Sequence, residues 1–323
     1  MEPVALAIAG IGNNASALVQ GLDWYRDRRT APGIRRPVVD GLAVTDVEVV
    51  AAFDIDPGKV GRALSEAILL PPNSYPEVAE ARSGTVVTAG LTDATTGSVD
   101  RIAAALTAAR TEVLLYCAPA GLTDAAAGYA AAALRAGTGF VNTTPEVVAR
   151  DPETLRRFTE AGLPLLGDDL ASQFGTSAVH RALLELFADR GITLDHSYQV
   201  NLGGNEDFRN LTTRATGKAV SKLNALSDED DTRSRVHLMP FGYLPGAGDR
   251  KRAHVNLTGI GWAGTDVSVD LTLTVHDSSG AAGVTIDLVR FAAGALRAGR
   301  GGFDDRALRL VKSPPGTAAP DRD

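Results

Sequence analysis

Lysine is scarce in this chain, and where it occurs it invites a chemical reading. Among 32 Lys and Arg residues only five are lysines: Lys59, Lys218, Lys222, Lys251 and Lys312. Arg keeps its proton, whereas a buried or clustered Lys can release one, so lysines retained among arginines are candidate acid–base or oxyanion partners. Lys218 and Lys222 are four apart, the spacing of one helix face if that stretch is helical. A second signature is Gly10-Ile11-Gly12-Asn13-Asn14-Ala15. It has the G-x-G-x-x-G/A form that receives a dinucleotide pyrophosphate. Gly10 permits the tight turn, Gly12 lets phosphate approach the backbone, and Ala15 allows close helix–strand contact. Asp54, in Asp54-Ile55-Asp56, would accept hydrogen bonds from the adenosine ribose and repel a 2′-phosphate, which favours NAD over NADP.

Other reactive residue types point to less. His180, His196, His237, His254 and His276 are scattered without metal-ligand spacing, and no metal site is expected. Cys117 is the single cysteine and sits in an apolar run, so it reads as a buried thiol in a reducing compartment. The net charge of −7 argues against nucleic acid as a partner but leaves room for a small anion. No apolar run approaches the roughly 20 residues of a membrane span, and Met1-Glu2-Pro3 lacks a basic leader, so the reading is a soluble cytoplasmic protein.

The elements that must position these residues follow from hydrophobic periodicity. Apolar runs at 4–9, 47–53, 113–117 and 140–142 alternate with helical patterns at 16–26, 98–110 and 125–135, which implies a parallel, doubly wound α/β sheet. Segments 28–41 and 69–75, rich in Pro, Gly, Arg or Asn, read as loops, and the first explains the long spacing from the glycines to Asp54. After Gly167 the pattern changes. A helix is expected over 172–190, then strands at 197–202, 253–260 and 267–276 in a largely antiparallel sheet, then helix again from Gly283. Asp228-Glu229-Asp230-Asp231 reads as a solvated turn and 314–323 as a disordered tail.

With these segments in place, the chain resembles the inositol-3-phosphate synthase (myo-inositol-1-phosphate synthase) family, in its short prokaryotic form. The resemblance is carried by AGIGNNASALVQG at 9–21, VVAAFDIDPGKVG at 49–61, GDDLASQ at 167–173, NLGGNEDFRN at 201–210, KAVSK at 218–222, DRKRA at 249–253 and VKSPP at 311–315. It implies an NAD-binding Rossmann-like domain from residues 1–167 plus 284–323, and an inserted α+β domain, 168–283, for catalysis and homotetramer contacts. It implies a hexose 6-phosphate substrate that is oxidised at C5, enolised at C6, closed by an intramolecular aldol step and reduced again. Matched motif by motif, Lys218, Lys222, Lys251 and Lys312 become catalytic candidates, with Asp207 and Asp249 as orienting carboxylates. Asp168 and Asp169 fall near the nicotinamide, and Ser172, Gln173, Gly175 and Thr176 near the substrate phosphate. A phosphate-binding lysine cluster without proton transfer is the alternative role. An NAD-dependent sugar-phosphate dehydrogenase or an inactive NAD-binding sensor is the alternative function.

Two departures bear on the substrate. The family segment Gly-Asp-Asp-x-Lys-Ser has Ala171 in place of the Lys, and Met239-Pro240-Phe241-Gly242 stands where short relatives carry a Ser-Asp pair after Gly-Pro. Losing a long cation makes room near the acceptor carbonyl. A 2-ketose, fructose 6-phosphate, would then close a five-membered ring, as glucose 6-phosphate would close the six-membered one.

Overall fold

The computed structural model describes residues 2–28, 30–211, 216–226, 230–238 and 242–317, and the side chains of 211, 216–220 and 230 lie outside that description. Met239, Pro240 and Phe241 therefore fall outside it, as do Asp228 and Glu229 of the acidic turn.

Six strands form a parallel sheet in the order Val87–Ala89, Val47–Asp54, Val4–Ala9, Val113–Tyr116, Gly139–Asn142 and Leu165–Leu166. The strand order reverses beside Val4–Ala9, and in such sheets the crevice at that reversal is where ligands bind. Both faces are covered, so the strands are apolar on both sides. Leu6, Ile8, Val113 and Leu115 pack with Leu18, Val19 and Leu22 of the helix Asn13–Arg26 and with Ile286, Val289 and Phe291 of the helix Asp277–Arg297. Ala7, Ala9, Leu114 and Tyr116 face the other way, onto Ile102 and Leu106 of Thr96–Ala108 and Ala126 and Ala133 of Thr123–Ala136.

The helix Asp277–Arg297 begins six residues before Gly283, where periodicity placed its start, and it runs unbroken through the expected domain boundary at 284. By length and composition alone it is long and apolar enough to cross a membrane. Here its middle, from Val284 to Ala295, is buried in the protein core. Arg290 on this helix is fully buried. Its guanidinium donates to the carbonyls of Arg36 at 2.7 Å, Pro37 at 3.1 Å and Leu42 at 3.2 Å, and it pairs with Asp287. This one side chain ties the Arg- and Pro-rich loop to the core. Arg290→Met should lower unfolding free energy by about 3 kcal/mol, because it removes one of the two guanidiniums on buried Asp287, the other being Arg36, and leaves several carbonyls without their donor. A urea titration of both proteins checks this.

The second sheet has the strand order Val236–Leu238, Thr193–Gly203, Arg250–Ile260, Asp266–His276, and Gly242–Tyr243 also pairs with Thr193–Gly203. The long pairings are antiparallel and the two short ones parallel. Its inner face packs Val255 and Leu257 against Leu184 and Phe187 of the helix Thr176–Asp189 and Leu226 of Thr216–Leu226.

Candidate active site

A single cleft runs from the carboxyl end of the parallel sheet to the near end of the second sheet. Its wall includes the glycine turn at one end and Lys222, Lys251 and Lys312 at the other.

The strand Val4–Ala9 is followed by Gly10, whose N–H donates to the Phe53 carbonyl at 2.8 Å. Gly10 has φ +96°, and a Cβ there would lie 2.6 Å from the Ala118 backbone, so no other residue fits without displacing a neighbouring strand end. Gly12 is open, with nothing within 4 Å of where a Cβ would stand. The helix Asn13–Arg26 makes its first internal bond from Ser16 N–H to the Gly12 carbonyl at 2.9 Å, so the N–H groups before it point out of the helix end. Asn14 Oδ1 is buried there with no hydrogen-bond partner among the described residues. Open backbone and outward N–H groups fit a dinucleotide pyrophosphate, while Asn14 Oδ1, an acceptor, would take a ligand donor such as a hydroxyl. Ala15 is buried behind the turn and plays the packing role read from the sequence.

Two residues of this half have more to do than the sequence suggested. Asp54 accepts from Ile11 N–H at 2.6 Å and from Asp56 N–H at 2.8 Å, so it builds the turn while keeping further lone pairs on the cleft wall. Asn13 Oδ1 accepts from the N–H groups of Ser74 and Tyr75 at 2.7 and 2.9 Å, which folds the 73–75 loop onto the helix start. Cys117 also lines the cleft, and burial beside Asp54 pushes its thiol up to about 12. It is a neutral thiol rather than a nucleophile.

The lysines arrive from three directions. Segment 168–171 pairs with 310–313: Asp168 and Ser313 exchange backbone bonds, Lys312 N–H donates to the Asp169 carbonyl at 2.6 Å, and Ala171 N–H to that of Leu310 at 2.9 Å. That pairing sets Lys312 Nζ 2.8 Å from Asp169 Oδ1. Asp169 itself has φ +54°, a conformation that non-glycine residues adopt at some energetic cost. Lys251 stands near the start of Arg250–Ile260, opposite Val275, and its ammonium pairs with Asp277 just beyond that partner strand. Lys222 lies on the helix Thr216–Leu226, buried against the cleft. Ser313, one residue from Lys312, holds that helix through Ser221 Oγ at 2.9 Å and Asn224 Nδ2 at 3.3 Å. Lys218 belongs to the same helix, and its side chain lies outside the description.

The helix Thr176–Asp189 presents its N-terminus to the same space, where Ser172, Gly175, Thr176 and Ser177 line the wall. Thr176 Oγ1 donates to Asn201 Oδ1 at 2.9 Å, which links the helix start to the second sheet. An unsatisfied helix N-terminus beside ammonium groups is a site for a phosphate dianion.

Three expectations need correcting. Asp168 is fully buried and does not face the cleft. Its carboxylate accepts from Asn142 Nδ2, from the N–H groups of Val148, Ala149 and Arg150, and from Arg150 Nε, so it braces the loop instead of meeting a ligand. Gln173 is exposed and turned away, donating to the Gly33 carbonyl. Among the described residues Asp249 bonds no lysine: it accepts from Ser278 N–H and Oγ and from Asn205 Nδ2, and burial raises its pKa. It fixes the start of Asp277–Arg297, and so acts on Lys251 only through Asp277. Asp207 lines the cleft. Asp277 was missed, although Asp277-Ser278-Ser279-Gly280 after a strand is helix-start chemistry. Among the described residues no group of three or more His, Cys, Asp or Glu could hold a metal ion.

Comparison with known proteins adds ancestry to this geometry. Residues 175–278 match the family described as Myo-inositol-1-phosphate synthase. The chain is 37% identical to an inositol-3-phosphate synthase of Corynebacterium glutamicum, over 97% of this chain and 93% of that one. It is 37% identical to the inositol-3-phosphate synthase of Mycolicibacterium smegmatis, over 98% and 95%. Among solved structures it is similar to Ari2, with TM-score 0.87 and 50% identity over 98% of this chain and 94% of that one. A Thermotoga maritima protein described as myo-inositol-1-phosphate synthase-related shares the fold, with TM-score 0.82 and 23% identity over 99% and 95%.

Proposed function

The chain belongs to the inositol-3-phosphate synthase family, and from that premise we propose that it converts a hexose 6-phosphate to a cyclitol phosphate in a redox-neutral, NAD-dependent cyclisation. The observation that carries this reading is the convergence of Lys222, Lys251 and Lys312 on the cleft that also holds the glycine turn and the Thr176 helix start. A simple dehydrogenase needs one base and a cofactor. Enolisation and aldol closure need several cationic partners for oxygens that become anionic in turn.

Bound NAD would supply a hydride acceptor at C5 of the sugar and return the same hydride at the end. Gly10, Gly12, Asn13, Asn14, Ala15, Asp54 and Asp169 form its site in this reading. Ser172, Gly175 and Thr176 hold the substrate phosphate. A lysine in its neutral form takes the C5 hydroxyl proton as the hydride leaves; a second neutral lysine takes a proton from C6, next to the new ketone. The C6 carbon then bonds to the acceptor carbonyl carbon, and the resulting alkoxide takes a proton from an ammonium. Asp277 beside Lys251 and Asp169 beside Lys312 orient those ammoniums. We assign the dinucleotide to the unit formed by 1–167 and 284–323, catalysis to 168–283 with Lys312 contributed by the first unit, and read the enzyme as a cytoplasmic homotetramer, as in the family.

A specific observation favours a ketose substrate. Ala171 lines the cleft between Leu170 and Ser172, at the position where the resemblance places a family lysine.

Two measurements test the core of this reading. Turnover of the substrate should leave no net reduced cofactor; its stoichiometric accumulation would identify a dehydrogenase instead. Calorimetric titration should show NAD bound more tightly than NADP if Asp54 receives the adenosine ribose, as this reading has it. Tighter binding of NADP would remove that role from Asp54.

A further inference from the structure

Lys59 is the lysine that the reaction does not use. It is 3% exposed, on the turn after Val47–Asp54, and it lines the cleft beside Gly10, Gly12 and Asp54. Its Nζ donates to the Ile11 carbonyl at 2.7 Å and to Asn73 Oδ1 at 3.0 Å. An ammonium has three N–H bonds, and these two acceptors are its partners among the described residues. A buried ammonium with an unmet donor is costly, and a ligand oxygen on the cleft side would complete it. Burial lowers the Lys59 pKa, while nearby Asp54 and Asp56 act to keep the group charged.

The same side chain fixes the glycine turn. Ile11 is gripped at both ends: its N–H by Asp54 Oδ2 at 2.6 Å, its carbonyl by Lys59 and by Asn73 Nδ2 at 3.1 Å. A trans peptide is planar, so holding the Ile11 carbonyl also fixes the Gly12 N–H, which points the opposite way within that plane. The turn is therefore locked before any ligand arrives, and a dianionic pyrophosphate next to Asp54 and Asp56 meets a compensating charge.

We propose that Lys59 is a dinucleotide-binding residue, which presets the glycine turn through the Ile11 carbonyl and gives its third N–H to an oxygen of the adenosine diphosphate half of the cofactor. This rests on the dinucleotide reading above and assigns it a residue outside the glycine fingerprint.

The test is calorimetric titration of the full chain with NAD and with ADP-ribose, for the parent and for Lys59→Met, which keeps the apolar stem. If the parent binds neither, the dinucleotide reading itself fails. If it binds, Lys59→Met should weaken both ligands by about tenfold or more, as for a lost hydrogen bond from a charged group. Affinities within about twofold of the parent, even with a lowered unfolding midpoint, overturn the proposal. A crystal structure of the parent with NAD provides a check that needs no variant: Lys59 Nζ should lie within hydrogen-bond reach of a dinucleotide oxygen. An ammonium out of reach of the ligand overturns it equally.

Discussion

Replacing Lys222, Lys251 or Lys312 by Ala should each lower kcat by about 100-fold or more, with NAD affinity little changed. The expectation follows from where the three side chains meet. Each lines one cleft, on a separate element, with Asp277 beside Lys251 and Asp169 beside Lys312. An ammonium that stabilises an enolate or alkoxide, or returns a proton to it, acts on charge that exists only during reaction. Its loss therefore falls on kcat more than on binding. Lys218 shares the Lys222 helix and is expected to behave the same way. Arg at the acid–base position should not restore activity, because a guanidinium does not release its proton at working pH. Steady-state kinetics with product analysis reads the result. Full activity in any two of the Ala variants would remove the cluster from the mechanism.

The second large effect concerns which sugar is closed. Fructose 6-phosphate should match or exceed glucose 6-phosphate in kcat/KM, and Ala171→Lys should shift the ratio toward the aldose. After oxidation at C5, C6 of an aldose attacks the C1 aldehyde and closes a six-membered ring. In a 2-ketose the same carbon attacks the C2 ketone. The ring then contains C2 to C6, and C1 remains outside it as a hydroxymethyl branch. The redox steps and the lysines are unchanged; only the wall near the acceptor carbonyl must admit one more CH₂OH. Ala171 lies on the cleft wall, and its backbone is fixed by the bond to the Leu310 carbonyl at 2.9 Å. A lysine at that position would project a four-carbon stem and a charge into the space from a rigid base. Mass and NMR analysis of products from the two sugars separates the outcomes. Clean conversion of glucose 6-phosphate to inositol phosphate with no turnover of the ketose would end the idea.

The parallel sheet, the glycine turn and the shortlist of lysines were legible in the sequence because each is a local matter. Strand and helix periods repeat within a few residues, Gly10 and Gly12 act on their own peptide planes, and a scarce residue type stands out wherever it lies. The start of the last helix was placed late, at Gly283, because Ser278, Ser279 and Gly280 look like a loop until Asp249 is seen holding Ser278 from 29 residues away. Partnership was decided only in three dimensions. Asp168 and Asp169 are adjacent and chemically identical, yet one is spent on the 148–150 backbone and the other faces Lys312. Lys251 meets Asp277 because strand register, not sequence distance, sets the ends of Arg250–Ile260 and Asp266–His276 side by side. Lys59 looked like a leftover for the same reason: its partners, Ile11 and Asn73, lie 48 and 14 residues away. The sequence alone determined which groups are available, since residue type sets what can carry charge or lose a proton. The tertiary structure decided which of them share a cleft, because burial and hydrogen-bond saturation depend on neighbours that chain order does not specify.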